Sequence, residues 1–323
     1  MEIAKYTTQF QQWFNHFFAE KEPTYQTPFR CCIEINAGYC TLIKLKIRNH
    51  HKISFIETIP VQNETQLTEH LMTVAERYDL FDIPMYWLLS PNDYQIFLIE
   101  SLPVKQDEMR EALTWRIRSL INFPIEEAVI DFFSLPAKKK SPENPMLAVA
   151  VSRSAQLRKY TELFSRSGLL VTTIDIPELA IRNLTSLVED DEKSTAFVFI
   201  YDTTLLLNIT RQKTLYFTRR INHPKSFTQS DFESIGLEIL RYFDYFQSQW
   251  RYPSPTRIFI SASNETLMSA IKALSEYLSA RVEIFPVEKL PPNLTTHLTN
   301  NHEALAVYGC LLREEVEYAE ATA

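Results

Sequence analysis

The order of secondary-structure elements repeats along the chain, and this repeat constrains the fold more than any other feature. The alternation of apolar and polar residues predicts three consecutive strands followed by a helix, a strand and a helix, and the same order begins again about 165 residues later. The strands of the two triplets are predicted at residues 31–35, 39–47, 53–59, 196–201, 205–210 and 214–218. Each half therefore has the element order of an α/β ribonuclease-H-like unit.

Two such units in tandem predict the actin-like fold, an α/β architecture in which the ribonuclease-H-like unit is duplicated. A short charged run at residues 189–193 separates the halves, and extra strands between residues 128 and 151 indicate a subdomain inserted into the first half. The predicted segments are an amphipathic helix and linker at 1–28, a first domain at 29–188 with its inserted subdomain at about 103–152, and a second domain with a C-terminal helix at 194–323.

Glycine is scarce, and its scarcity excludes two nucleotide-binding motifs. The chain has 4 glycines among 323 residues, where average usage of about 7% would give roughly 23. A Rossmann fingerprint needs three glycines within six residues and a P-loop needs two, but Gly38, Gly168, Gly236 and Gly309 all stand alone. A formal net charge of −7 also disfavours nucleic acid as a partner, because the phosphate backbone repels an acidic protein.

Cysteine usage and hydropathy indicate the cellular compartment. Cys31, Cys32, Cys40 and Cys310 form no C-x-x-C pair and no evenly spaced framework, as is typical of reduced thiols in a cytosolic protein. No window approaches 18 uninterrupted apolar residues, and the N-terminus lacks the cationic and apolar segments of a secretory signal. We therefore expect a cytoplasmic protein without a transmembrane segment.

Three predicted turns stand where proteins of actin-like fold contact ATP. In that fold an acidic residue and a glycine in the first turn of each half hold the phosphates and magnesium, and a later Gly-Gly pair approaches the adenosine. The corresponding residues are Asn36, Ala37 and Gly38 in the first turn, Asp202 and Thr203 in the second, and Ser261, Ala262 and Ser263 in the third. The first turn lacks the aspartate, the second lacks glycine, and the third lacks both glycines. Because a Cβ narrows the space for a ligand, we expect no catalysis and no bound cofactor, with ATP binding and ATP hydrolysis as the alternatives.

The other polar motifs have ordinary structural interpretations. The seven histidines show no metal-ligand spacing, so we expect no metal site, and the pair His50-His51 is expected to be exposed in a turn. The acidic pair Glu126-Glu127 and the run Lys138–Lys140 are expected to be solvated. The pair Arg219-Arg220 ends a strand, where surface ion pairing is favoured over the binding of an anion.

A long helix is predicted at about residues 230–250. Ser230 and Glu233 fit a capping box at its start. Phe243 and Phe246 lie on its apolar stripe, so we expect them in the core of the second half.

The helix predicted at residues 3–18 has an aromatic face whose partner the sequence leaves open. This face can pack on its own domain, in the groove of a partner, or on a membrane surface. Lys5 is the sole basic residue before Lys21, so attraction to anionic lipid would be weak.

Several motifs along the chain resemble one known family. They are WRIR at 115–118, NFPIEEAVIDFF at 122–133, SGLL at 167–170, IDIPELA at 174–180, LYFTRRI at 215–221, LEILRYFDYF at 237–246 and AVYGCLLR at 306–313. Their order and spacing over roughly residues 29–315 resemble the PilM family of type IV pilus assembly proteins. Within that family the match is best to the branch that serves mannose-sensitive haemagglutinin (MSHA) pili.

The resemblance implies a non-enzymatic scaffold that lies beneath the inner membrane and is held there by protein partners. PilM proteins bind the short N-terminal cytoplasmic tail of PilN, a bitopic inner-membrane protein, and connect assembly ATPases to the envelope-spanning frame. The resemblance therefore implies a PilN-like partner and, as a second partner, a pilus assembly ATPase. No motif assigns the residues of a tail-binding groove.

Two other functions stay open at this point. One is an actin-like ATPase of the same family that binds and hydrolyses ATP through atypical loops. The other is the cytoplasmic region of a GspL-like type II secretion protein, which would need a transmembrane helix after the domain.

Overall fold

The computed structural model describes residues 27–47, 52–105, 108–139, 145–190, 192–299 and 301–313. The predicted helix at 3–18, the pair His50-His51, Lys140 and the end of the last predicted helix lie outside these residues. Within the described ranges, no helix combines the length and hydropathy that are needed to cross a bilayer.

The strands and helices alternate through the chain. The strands are β1 (Phe29–Asn36), β2 (Tyr39–Lys46), β3 (Lys52–Pro60), β4 (Met85–Leu88), β5 (Tyr94–Glu100), β6 (Ala128–Ser134), β7 (Met146–Arg153), β8 (Val171–Asp175), β9 (Thr195–Ile200), β10 (Thr204–Arg211), β11 (Thr214–Asn222), β12 (Arg257–Ser261) and β13 (Arg281–Ile284). The helices are α1 (Glu64–Arg77), α2 (Met109–Ile117), α3 (Ser154–Arg166), α4 (Pro177–Ser186), α5 (Gln229–Trp250), α6 (Asn264–Tyr277), α7 (Pro292–Leu298) and α8 (His302–Leu311), with short 3-10 turns at Ile125–Glu127 and Val287–Lys289.

The two larger sheets have the same topology, which confirms the repeat. Their strand orders are β3-β2-β1-β4-β8 and β11-β10-β9-β12-β13. In both, the first three strands pair antiparallel and the last two add in parallel. Each half therefore has the ribonuclease-H-like topology that the element order predicted.

A third sheet, with strand order β5-β7-β6, is formed between β4 and β8 of the first half. All its strands are antiparallel, and α2 packs on one face through Leu113 and Ile117. Leu120, which was predicted on the same helix stripe, is exposed because α2 ends at Ile117. The domain limits drawn from the sequence stay a prediction.

Local sequence signals set the helix ends. Gly168 has a φ of +73°, the left-handed conformation that ends α3, as its position predicted. The capping box of α5 is formed by Thr228 and Asp231, so its prediction at Ser230 and Glu233 is wrong by two residues. The Asp231 carboxylate accepts the Thr228 N–H at 2.8 Å, which satisfies a donor that the first helical turn leaves unpaired.

The helices α4 and α8 are exchanged between the halves. α4, from the first half of the chain, packs on β9, β10 and β11, whereas α8, from the second half, packs on β1, β2, β3 and β4. The two helices also pack against each other, and the crossed pair lies between the two sheets. The largest side chains in this central core belong to Tyr86, Phe197, Phe199, Tyr201, Phe259, Phe285 and Tyr308.

The outer face of the second sheet is covered by α5. Phe243 and Phe246 are buried there, as predicted. The free cysteines are also buried, and burial raises the pKa of the Cys31 thiol to about 12, so this thiol is unreactive.

Gly309 lies where α8 comes closest to α4. A Cβ at this position would stand 2.3 Å from the carbonyl oxygen of Ala180 and 2.9 Å from Cγ of Leu184. The carbonyl oxygen of Gly309 accepts a hydrogen bond from Nδ2 of Asn183 at 2.9 Å. This contact requires glycine because the nearest atom belongs to the backbone, which cannot rotate out of the way.

We predict that Gly309→Ala lowers the free energy of unfolding by about 2 kcal/mol or more, since overpacking typically costs about 1–3 kcal/mol. Gly236→Ala is a matched control. It is also within a helix, but its Cβ would meet Cβ of Tyr277, the last residue of α6, at 3.0 Å, so a shift of a few tenths of an ångström at this helix end relieves the contact. Chemical denaturation of both variants measures the difference, and equal stabilities would contradict the assignment of Gly309 as the point of closest approach.

Candidate functional site

The three turns that correspond to the ATP-contacting turns of the actin-like fold meet beside the N-terminus of α8. Burial raises the pKa of Tyr39, next to the first turn, and carboxylates that include Asp202 of the second turn raise it further. In the third turn, Oγ of Ser261 lies 2.8 Å from Nδ1 of His302, the first residue of α8. We call the region between the two sheets, where Glu34, Tyr201 and His302 lie near these turns, the cleft.

Glu34, in β1, is a fully buried carboxyl group in this cleft. Its pKa is raised to about 8, chiefly by burial and also by the charges of Glu303 and Asp93, while the nearby Asn36 amide and Tyr201 hydroxyl offset part of the shift. Among the described residues, neither carboxyl oxygen of Glu34 nor the hydroxyl of Tyr201 makes a hydrogen bond of normal geometry. Glu34 is therefore mostly protonated at neutral pH. The sequence signal for it is a charged residue inside an apolar strand.

The polar groups of the second turn form hydrogen bonds within the protein. The Asp202 carboxylate accepts a hydrogen bond from Oγ of Ser226 at 2.5 Å. The carbonyl oxygen of Thr203 accepts the N–H of His223 at 2.8 Å. Asp202 is thus engaged by the segment that follows β11.

His302 occupies the space beside the third turn. Its ring stacks on Phe199 with centroids 4.5 Å apart. Burial lowers the pKa of His302 to about 4, so the ring is neutral at physiological pH. A neutral histidine and the buried Glu34 carboxyl provide none of the positive charge with which proteins bind phosphate.

The predicted surface role of Arg219-Arg220 is wrong for Arg220, whose side chain is 10% exposed and joins the two halves. Its Nε donates to Oε1 of Glu178 at 2.7 Å, and its Nη1 donates to the carbonyl oxygens of Pro91 at 2.9 Å and Tyr94 at 3.3 Å. Its guanidinium lies 3.9 Å from the centre of the Tyr94 ring, whose hydroxyl donates to Glu178. Because these groups occupy its donors, Arg220 is a structural link and not an anion site.

The lysine run was predicted as a solvated loop, and this holds for Lys139, which is exposed, whereas Lys138 is half-buried. Nζ of Lys138 lies 5.5 Å from the ring centre of Tyr245, and Nζ of Lys139 lies 4.6 Å from that of Tyr252. The backbone N–H of Lys139 donates to the carbonyl oxygen of Gln249 at 3.1 Å. The loop after β6 is therefore docked on the C-terminal end of α5 by cation–π contacts and a hydrogen bond. The pair Glu126-Glu127 is exposed, as predicted.

A groove of about 420 Å³ separates the third sheet from the edge of the first sheet. One wall is formed by β6 and β7, and the opposite wall by β8, which is an edge strand of its sheet. The apolar residues that line it include Leu89, Val129, Phe133, Ala150, Leu157 and Leu179. No sequence motif indicates this groove, because its walls come from separate segments that only folding brings together.

Charged side chains of both signs stand at the groove. Nη2 of Arg110, on α2, lies 3.0 Å from Oδ1 of Asp131 on β6. Nη1 of Arg313 lies 3.8 Å from Oδ2 of Asp175 at the end of β8. The groove thus combines apolar walls, two strand edges and charged groups, which is the composition of a binding site for an extended peptide.

Comparison with known proteins identifies part of the chain by sequence and most of it by fold. Residues 94–238 match the family described as type IV pilus assembly protein PilM. This match confirms the predicted PilM resemblance for that part, which contains β5 to β11 and most of the groove. No curated protein matches the sequence.

Two solved structures show the fold. A chain of the "PilM-PilN type IV pilus biogenesis complex" is 17% identical with a TM-score of 0.69, and the alignment covers 88% of this chain and 98% of that one. A Bacteroides thetaiotaomicron protein with an actin-like ATPase fold and unknown function is 9% identical with a TM-score of 0.53, with 86% and 98% covered. The predicted actin-like α/β fold is confirmed.

We predict that Glu34→Gln removes a pH dependence from the stability of the protein. Glu34 releases its proton near its ordinary pKa of 4.5 in the unfolded chain but near 8 in the folded protein. The wild type therefore loses stability as pH rises from 4.5 through 8. Relative to wild type, the variant gains about 1.4 kcal/mol for each pH unit in this interval, up to a few kcal/mol.

Chemical denaturation between pH 5 and pH 9 measures this gain. Glu69→Gln, at an exposed position of α1, is the control and should follow the wild type at every pH. A constant difference between Glu34→Gln and wild type would show that Glu34 is ionised in the folded protein.

Proposed function

We propose that this protein is a scaffold of type IV pilus assembly, and that its groove between β6 and β8 binds the short cytoplasmic tail of a PilN-like inner-membrane protein. The observation that supports this most is the coincidence of the groove with the PilM-like part of the chain. A solved structure of the same fold is a PilM–PilN complex, so this fold is compatible with such a partner.

The shape of the groove suits an extended peptide. A volume of about 420 Å³ lies within the range of about 300–1,000 Å³ that is usual for ligand sites. Among the described strands, none pairs with β6 or β8 on the groove side of their sheets. Unpaired strand edges present backbone N–H and C=O groups, which a strand-like tail can satisfy.

Charge favours the same partner. The cytoplasmic segments beside a transmembrane helix carry an excess of Lys and Arg, whereas this chain has a net charge of −7. Opposite charge speeds the encounter of two partners. The negative charge of this chain disfavours binding to anionic lipid. The protein would then be cytoplasmic and lie at the inner membrane through protein contacts.

The assignment to one type of pilus rests on the motif resemblance. We assign the protein to an MSHA-like pilus because its motifs are most similar to those of MshI, the PilM-like protein of MSHA pilus biogenesis. A pilus assembly ATPase is the second proposed partner, on the same resemblance.

The filled cleft favours a scaffold without nucleotide over an actin-like ATPase. Glu34, Tyr201 and His302 occupy the cleft where the three turns meet. The first turn keeps Gly38, whose φ is +98°, but the cleft places a buried carboxyl group near it. A phosphate there would meet this carboxyl group and the neutral imidazole of His302, neither of which supplies positive charge.

We predict that a synthetic peptide of the partner's cytoplasmic tail binds the full chain saturably, and that Thr173→Arg weakens this binding at least tenfold. Thr173 lies on β8 and lines the groove, so a long cationic side chain there fills the space for the peptide. Thr73→Arg adds the same charge at an exposed position of α1 and should leave affinity unchanged. Calorimetric titration measures both, and equal affinities would place the tail elsewhere.

We predict that Mg-ATP gives no binding isotherm with the purified protein. The three turns lack parts of the glycine and aspartate pattern, and the cleft is filled by the protein's own side chains. Calorimetric titration is again the measurement, and a micromolar dissociation constant would favour the ATPase alternative.

A further inference from the structure

The groove edge of β6 is already occupied by a side chain of the protein itself. β6 pairs with β7 on one side, and its other edge faces the groove. Arg110 on α2 reaches across this edge, where its Nη1 donates to the backbone carbonyl oxygen of Ile130. Its Nη2 donates to Oδ1 of Asp131 at 3.0 Å. Arg110 thus binds an acceptor that a neighbouring strand would otherwise use.

The position of Ile130 is suited to pairing with a further strand. In a β-strand the N–H and C=O of one residue point to the same side, and residues alternate between the two sides. Since the carbonyl of Ile130 points to Arg110, its N–H also lies on the groove edge, and so do the polar groups of Phe132. The guanidinium of Arg110 lies 6.0 Å from the centre of the Phe132 ring, along the same edge.

The hold of Arg110 on this edge is weak enough to be exchanged. The Arg110 side chain is 42% exposed and that of Asp131 is 79% exposed. Ion pairs at such exposure contribute about 0–1 kcal/mol. Released into solvent, the guanidinium is rehydrated, so its displacement leaves no buried unpaired charge.

We propose that Arg110 is a displaceable cap on the edge of β6, and that the groove takes the partner's tail as an added strand whose backbone N–H replaces Arg110 on the carbonyl oxygen of Ile130. This inference rests on the proposed function and adds the mode of recognition to it. Before the partner arrives, the cap blocks the edge against pairing with other exposed strands, a hazard that proteins commonly suppress with charged side chains.

If Arg110 is a cap, its removal changes the affinity for the tail in the opposite direction from the removal of a contact residue. Removal of a side chain that contacts the tail weakens binding, whereas removal of a cap strengthens it. We expect Arg110→Ala to bind the tail peptide about three- to tenfold more tightly than wild type, where tenfold corresponds to about 1.4 kcal/mol. Asp131→Asn, which loosens the hold on Arg110, should shift the affinity in the same direction by less.

The experiment is a calorimetric titration of the full-length variants with the synthetic tail peptide. Arg116→Ala, at an exposed position of the same helix, is the matched control and should bind like wild type. A second measurement, amide hydrogen exchange by NMR, should show slower exchange at Ile130 and Phe132 when the peptide is bound. This readout applies to the wild type, so it does not depend on the folding of any variant.

The outcomes separate the inference from the proposed function. If the wild type binds the peptide, but Arg110→Ala binds equally or more weakly and the two amides exchange as before, the cap is overturned and the scaffold function stands. If neither wild type nor variants bind, both fail. Binding that is detectable in Arg110→Ala and absent in wild type would support the cap.

Discussion

The close crossing of α4 and α8 between the two sheets is the contact on which the rest of the structure depends. Each sheet receives its inner helix from the other half of the chain, so neither half can cover the inner face of its sheet alone. The crossing needs a glycine at position 309, because α8 approaches the carbonyl oxygen of Ala180 too closely for a Cβ. Helices that pack this closely resist relative rotation of the two sheets.

The crossing also positions the side chains of the cleft and of the groove. The N-terminus of α8 places His302 against the third turn, beside the cleft. The first turn of α4 contains Glu178, whose carboxylate holds Arg220 and Tyr94. Tyr94 begins the third sheet and also lines the groove, so the pair of helices α4 and α8 connects the cleft with the groove.

The third sheet is braced from both halves, which makes the groove a rigid feature. Trp250, at the end of α5, donates its indole N–H to the carbonyl oxygen of Pro136 at 3.0 Å. The two lysines of the same loop contact tyrosines of the second half. A peptide that enters the groove therefore meets walls already in place, which lowers the entropic cost of binding.

The repeat of strand triplets, the left-handed end of α3 at Gly168 and the apolar stripe of α5 were predictable, because each depends on residues close together in sequence. The capping box of α5 was misplaced by two residues, since neighbouring Thr, Ser and acidic residues offer several similar solutions. Arg220 was misjudged for a different reason. From sequence, a charged side chain is predicted to be exposed when its own segment is polar. Its burial depends on which distant element packs on it.

The sequence by itself determined the element order, the scarcity of glycine in the three turns and the net charge, because these are properties of the chain and not of its folding. Only the tertiary structure decided that the two halves exchange helices and that Glu34 is buried without a hydrogen bond of normal geometry among the described residues. It also decided that an open groove lies between β6 and β8. The physical reason is that burial, pKa and the availability of a strand edge depend on neighbours far away in sequence, and these neighbours exist only once the chain has folded.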